Sequence, residues 1–221
     1  MNKSYGSEDL QRNWYDVNKY LASKKWEENK ILTKLRPSME TLKGKKDLVG
    51  VESGIGSCLN SQNIYTNLDI RKLYLIDVND PPREPGTSLI NRDNVEFMKG
   101  NSIDKLKEID EPLDFVYLDS SHEFNHLLKE IKAIYPKIKK GGIIGGHDYE
   151  HIGVVSAVNT FMFNIWRHIG KKPDSFFFES CLDEHPGIPE EYSDFGFPVD
   201  WWHIKEHELP EDFEIHELRN G

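Results

Sequence analysis

The sequence predicts a single α/β domain organised around a mostly parallel sheet. Three observations carry this. Five short apolar runs alternate with segments of helical periodicity across residues 48–168. A glycine-bearing turn, Gly54-Ile55-Gly56, follows the first of these runs. The closing part holds two more apolar runs, with a Pro- and Gly-rich stretch between them that does not read as a helical crossover. Parallel neighbours need such a crossover. The first five runs are therefore read as parallel strands and the last two as an antiparallel pair.

The elements follow in order. Residues 1–45 are expected to form a helical cap on a main domain spanning 46–221. Ser7-Glu8-Asp9 offers an N-terminal cap, and Leu10, Trp14, Val17 and Leu21 recur at helical spacing. A second helix over residues 26–35 is expected to stop at Pro37. The strands are Leu48-Val49-Gly50-Val51, Lys72-Leu73-Tyr74-Leu75-Ile76, Val95-Glu96-Phe97-Met98, Leu113-Asp114-Phe115-Val116-Tyr117-Leu118 and Gly142-Ile143-Ile144-Gly145. Between the fourth and fifth, Phe124, Leu127, Leu128, Ile131, Tyr135 and Ile138 mark one face of an amphipathic helix, and Gly141-Gly142 ends that connection. A further helix covers residues 154–168, followed by strands at 175–180 and 201–204.

Composition narrows the function classes. The 221 residues are 37% hydrophobic and 30% charged, a globular balance without an apolar run of bilayer length. No apolar leader opens the chain, so a cytoplasmic protein with no membrane partner is expected. Cys58 and Cys181 lack metal-site spacing and are read as small buried hydrophobes. A net charge of −10 opposes binding to phosphate polyanions. The basic clusters at 43–46 and 137–140 are read as solvated turns, so no nucleic-acid partner is expected. The oligomeric state is left open, a dimer included.

In open α/β sheets ligands bind beyond the carboxyl ends of the strands. The first strand ends in Glu52-Ser53-Gly54-Ile55-Gly56-Ser57, where glycines let a ligand approach the backbone and the following helix offers free N–H groups. The second ends at Asp77, at the spacing expected for an acid that grips ribose hydroxyls. Together these point to a nucleoside-bearing cofactor. The third glycine of a dinucleotide fingerprint would fall at Leu59, which speaks against NAD. Glu52 favours a cofactor with a cationic amino-acid portion. Gly100-Asn101-Ser102, after the third strand, supplies small polar groups able to read an adenine ring.

Further motifs follow strands four and five: Asp119-Ser120-Ser121-His122 and Gly145-Gly146-His147-Asp148-Tyr149. With the glycine turn and Leu75-Ile76-Asp77, they resemble the class I S-adenosylmethionine-dependent methyltransferases. More narrowly they resemble the bacterial group that includes sugar and macrolide O-methyltransferases. The resemblance spans about residues 45–205. It implies a Rossmann-like sandwich with a seven-stranded sheet and an antiparallel last strand. It implies S-adenosylmethionine as cofactor, held by Glu52, Ser53, Gly54, Gly56, Asp77, Asn101, Ser102 and Asp119. It implies methyl transfer to a hydroxyl of a small, sugar-containing acceptor. It also implies a divalent metal, magnesium or manganese, at Asp119 and Asp148 with His147 beside them. The chain departs from that pattern at Ser120 and Ser121, where many relatives carry a second acid, and at His147, which suits manganese, iron or zinc better than magnesium.

Methyl transfer to an alcohol needs a base, or a metal that lowers the hydroxyl pKa. His122 is the first candidate base, with Asp119 and His147 as further catalytic candidates. His126 is read one turn after His122 on the same helix face, a spacing that also suits a His-x-x-x-His metal pair. Two other classes are weighed beside the methyltransferase: an NAD-dependent oxidoreductase on the same fold, and a non-catalytic assembly protein that keeps the cofactor.

Overall fold

The computed structural model describes residues 35–81, 86–171, 173, 175–180, 199–208 and 213–216. The helices expected before residue 35, Cys181, and the loop between the last two strands lie outside the described residues.

Strands β1 (Leu48–Ser53), β2 (Ile70–Asp77), β3 (Val95–Lys99), β4 (Leu113–Leu118), β5 (Ile138–Gly146), β6 (Phe176–Ser180) and β7 (Val199–Ile204) form one sheet in the order β3-β2-β1-β4-β5-β7-β6. The pairs β1–β2, β1–β4, β2–β3 and β4–β5 are parallel. β7 lies antiparallel to both β5 and β6. The short helices α1 (Pro37–Glu40), α3 (Gly86–Leu89) and α4 (Ser102–Glu108) join the longer α2 (Leu59–Asn67), α5 (Phe124–Ile134) and α6 (Ile152–Ile169). The strand order reverses direction between β1 and β4, and a crevice opens there beyond the strand ends.

Every residue of β1 is buried, as expected for a central parallel strand covered on both faces. One core cluster joins Val49, Val51, Val116 and Leu118 to α5 and α6. The other joins Leu48, Phe115, Tyr117 and Ile143 to Leu35, Met39, Leu42 and Ile64. The chain from Leu35 onward thus packs into the main core. On α5, Leu127, Leu128, Ile131 and Ile134 are fully or almost fully buried. Each contributes roughly 1.5–3 kcal/mol of apolar transfer, an upper bound for a compact unfolded chain.

Two prolines set element boundaries. Pro37 opens α1 at its first turn, where a missing N–H costs nothing. Pro136 sits in a 3₁₀ turn (Tyr135–Lys137), so α5 ends at Ile134 and Ile138 begins β5. Gly141 and Gly142 therefore lie within a strand rather than closing a helix. The basic clusters are absorbed locally. Lys46 pairs with Asp69 and Lys139 with Asp114, while the Lys137 ammonium donates to the carbonyls of Leu106, Lys107 and Ile109.

Candidate functional site

The backbone of the site is fixed where β1 and β4 end. The Asp119 N–H donates to the Ser53 carbonyl at 2.7 Å and the Gly54 N–H to the Ile76 carbonyl at 2.8 Å. Gly54 has φ +82°, and a Cβ built there would stand 2.1 Å from the Asp119 carbonyl oxygen. Only glycine permits so close an approach of the two strand ends.

A small open cleft of about 90 Å³ lies above this junction, lined by Gly54, Ile76, Asp77, Val78, Gly100, Asn101, Ser102, Ser120 and His126. Asp77 accepts from the Gly56 N–H at 3.2 Å and from the Asn79 N–H at 2.8 Å, which holds its carboxylate at the cleft wall. Asn101 caps α4 through the Ile103 N–H. Ser102 Oγ lies 2.9 Å from His126 Nε2. Val78 is 62% exposed, an apolar surface directly after the acid.

Two sequence-predicted residues face elsewhere. Glu52 is 1% exposed. Its oxygens accept from Asn60 Nδ2 at 3.0 Å and from Ser61 Oγ, so it anchors α2 beneath the turn. Burial pushes its carboxyl up to about 7, against the pull of these two donors. Ser53 is also buried, and its hydroxyl donates to Glu130 Oε1 at 2.7 Å.

A second group lies beyond β4 and β5. Asp119, His122 and Asp148 each offer one ligand atom, and these atoms all lie within 4.8 Å of one another. His122 Nε2 is 2.5 Å from Asp148 Oδ2. His122 precedes α5, whose N-cap is Glu123, so it does not share a helix face with His126. His126 turns instead towards Ser102 and the cleft. Gly153, at the start of α6, lies against His122: a Cβ there would meet the His122 carbonyl at 2.1 Å.

His147 stands behind this group. Its Nδ1 is 3.0 Å from Asp148 Oδ1 and its Nε2 is 3.9 Å from Asp200 Oδ1. Asp200 is fully buried and meets the Tyr117 hydroxyl at 3.0 Å and Arg36 Nη1 at 3.6 Å. Burial alone would lower the His147 pKa. The close contact with Asp148 and the charges of Asp119 and Asp148 outweigh it, leaving a value of about 9. The surrounding carboxylates thus favour the protonated form of His147.

The carboxylates differ. Burial pushes Asp119 up to about 6, with His147 opposing and Asp148 assisting. Burial also works against the Asp148 anion, but hydrogen bonds from His122 and His147 hold its pKa well below the usual carboxylate range. The His122 pKa is raised, chiefly by its hydrogen bond to Asp148.

The structure thus gathers Gly54, Asp77, Asn101 and Ser102 around one cleft, and Asp119, His122 and Asp148 in a second group beyond β4 and β5. It places Glu52, Ser53 and His147 behind these walls. The cleft residues Val78, Ser120 and His126 were not read as cofactor residues from the sequence, nor was Glu130 singled out beneath them. Glu130 left a signal, a carboxylate within the apolar stripe of α5. Val78 left another, an aliphatic side chain after the strand-ending acid.

The strand order, the glycine turn after β1 and the acid after β2 define the Rossmann-like α/β fold of the class I S-adenosylmethionine-dependent methyltransferases. Within it, residues 49–149, a little under half of the chain, match the model of a methyltransferase domain family. No curated protein sequence matches the chain.

Solved structures share the fold at low identity. An rRNA methylase from Streptococcus thermophilus is 16% identical with a TM-score of 0.53, covering 76% of this chain and 92% of that one. Spermidine synthase from Thermotoga maritima is 13% identical with a TM-score of 0.53, covering 80% of this chain and 60% of that one. MycE methyltransferase of the mycinamycin biosynthetic pathway, solved with Mg and SAH, is 15% identical with a TM-score of 0.50, covering 79% of this chain and 50% of that one.

Proposed function

We propose that this protein transfers the methyl group of S-adenosylmethionine to a hydroxyl of a small, sugar-containing acceptor. The observation that carries the reading is the convergence of Asp119, His122 and Asp148 at the strand ends, next to a cleft walled by Gly54 and Asp77. The cleft supports binding of an adenosine-bearing cofactor through Asp77 and Asn101. The three-residue group supports activation of an acceptor that is a poor nucleophile until its proton is removed.

In this reading Asp148 orients the His122 ring and stabilises its protonated form. His122 takes the acceptor proton as the oxygen attacks the methyl carbon in line with the departing sulfur. Asp119, held near the methyl-transfer end by its backbone bond to Ser53, orients the acceptor.

The same donor set fits a divalent ion. Two carboxylates and one imidazole, with ligand atoms within 4.8 Å of one another, suit manganese better than magnesium. Asp119, His122 and Asp148 would hold it, in place of the His147 set suggested by sequence. When bound, such an ion lowers the pKa of an attached hydroxyl. His147 would then balance the carboxylates from behind.

Calorimetric titration with S-adenosylhomocysteine, with NAD in parallel, tests the cofactor. Micromolar S-adenosylhomocysteine binding with none by NAD is expected. Turnover is then followed on sugar alcohols and glycosides, and on ribosomal RNA as the contrasting acceptor, with Mn2+ and with chelator. Turnover on a sugar hydroxyl supports the acceptor class. Methylation confined to RNA sinks it, and turnover indifferent to chelation removes the metal.

A further inference from the structure

Glu130 occupies a place where packing alone would take leucine. It lies on the buried face of α5 among Leu127, Ile131 and Ile134, and its exposure is zero. Burying a carboxyl there costs several kcal/mol unless it is hydrogen-bonded or paired.

The compensation found in the structure is specific and one-sided. Oε1 accepts from Ser53 Oγ at 2.7 Å and from Ser120 Oγ at 2.7 Å. These hydroxyls belong to the two chain segments that leave β1 and β4, and Ser120 itself lines the cofactor cleft. Oε2 is buried and has no hydrogen-bond partner. Among the described residues the one ion-pair partner is His126, whose Nε2 lies 3.9 Å from Oε1 and also contacts Ser102. Neither lysine nor arginine among the described residues pairs with Glu130. A purely structural tie between two serines needs no acidic group, since an amide oxygen accepts equally well. A carboxylate beneath the cleft floor is accounted for by a cation above it. The cofactor in the proposed function carries two, an ammonium and a sulfonium, both on its amino-acid half.

We infer that Glu130 is a positioning residue that clamps Ser53 and Ser120 and favours the cationic amino-acid half of the cofactor over its adenosine half. This rests on the S-adenosylmethionine reading of the cleft. In this reading the adenosine half lies against Asp77 and Asn101, neither of which bonds to Glu130, Ser53 or Ser120.

The two halves can be weighed apart. Calorimetry of the full chain and of E130Q is run with S-adenosylmethionine, S-adenosylhomocysteine and adenosine. Glutamine keeps the side-chain length and one oxygen acceptor. For E130Q, binding of S-adenosylmethionine and S-adenosylhomocysteine is expected to weaken about tenfold or more, and adenosine to stay within about twofold. S53A and S120A, which cut the clamp while keeping the acid, are expected to show the same selectivity with smaller losses. They keep the test open if E130Q does not fold. An equal loss for all three ligands in the variants, or no loss for any, overturns the inference. Failure of the unaltered chain to bind any of the three overturns the cofactor reading itself, and the inference with it.

Discussion

His122 Nε2 lies 2.5 Å from Asp148 Oδ2, across the gap between the loops that follow β4 and β5. The contact joins residues 26 apart in sequence and orients the exposed edge of an imidazole whose side chain is 43% accessible. An oriented ring with a free approach is the arrangement a general base requires. His122→Asn is therefore expected to lower the turnover number by about 10²–10⁴-fold, the usual range for a general base. Affinity for S-adenosylhomocysteine should stay within about twofold. Parallel loss of affinity and rate would show that His122 supports the cofactor cleft instead.

Asp77 tests the cofactor wall. Its oxygens accept from the Gly56 and Asn79 amides and leave lone pairs for a ribose diol. Asp77→Ala is expected to weaken S-adenosylhomocysteine and adenosine alike by about 1.5–3 kcal/mol, roughly 10- to 150-fold. Equilibrium titration measures both ligands directly. Unchanged adenosine affinity would place the nucleoside elsewhere.

Gly54→Ala addresses the junction of β1 and β4. The new methyl group would meet the Asp119 carbonyl at 2.1 Å, on a backbone at φ +82°. The strand ends must part, at an expected cost of about 2–4 kcal/mol in stability. Urea unfolding reads the cost. A wild-type midpoint in this variant would mean that the junction is looser than the geometry implies.

His203 gives a pH signature independent of the site. It is 2% exposed, and burial lowers its pKa to about 4, with a small opposing contribution from Ser175. The unfolded chain takes up this proton near pH 6.5, whereas the folded chain does so only near pH 4. Its penalty is absent above pH 6.5, grows as pH falls towards 4 and is complete below that, at about 3 kcal/mol. His203→Gln should lose less stability than the parent chain between pH 7.5 and 4.5, as measured by denaturant midpoints at each pH. Equal losses would refute the assignment.

Much of the frame is legible in the chain because its causes are local. Continuous apolar runs such as Phe115 to Leu118 read as doubly covered strands, and the glycine turn and Asp77 fall at strand ends by simple counting. Tyr135 and Ile138 escape the periodic reading, since they continue an apolar stripe that Pro136 interrupts. The site is less legible, because its pairings are non-local. Sequence places His147 beside Asp148, and they do touch, but nothing in the spacing shows that His147 turns inward to Asp200 while His122 comes across from another loop. Asp200 and Arg36 are 164 positions apart and meet only once the sheet is assembled.

The contact of Gly153 with the His122 carbonyl carries a consequence for redesign. The distance between the β4 and β5 loops is held by main chain against main chain, so the frame stays in place when the groups it presents are exchanged. Residues 119, 122 and 148 form a socket into which other donor sets can be written, while position 153 must stay bare. A library that varies the first three and preserves the fourth changes the donor set on an unchanged frame.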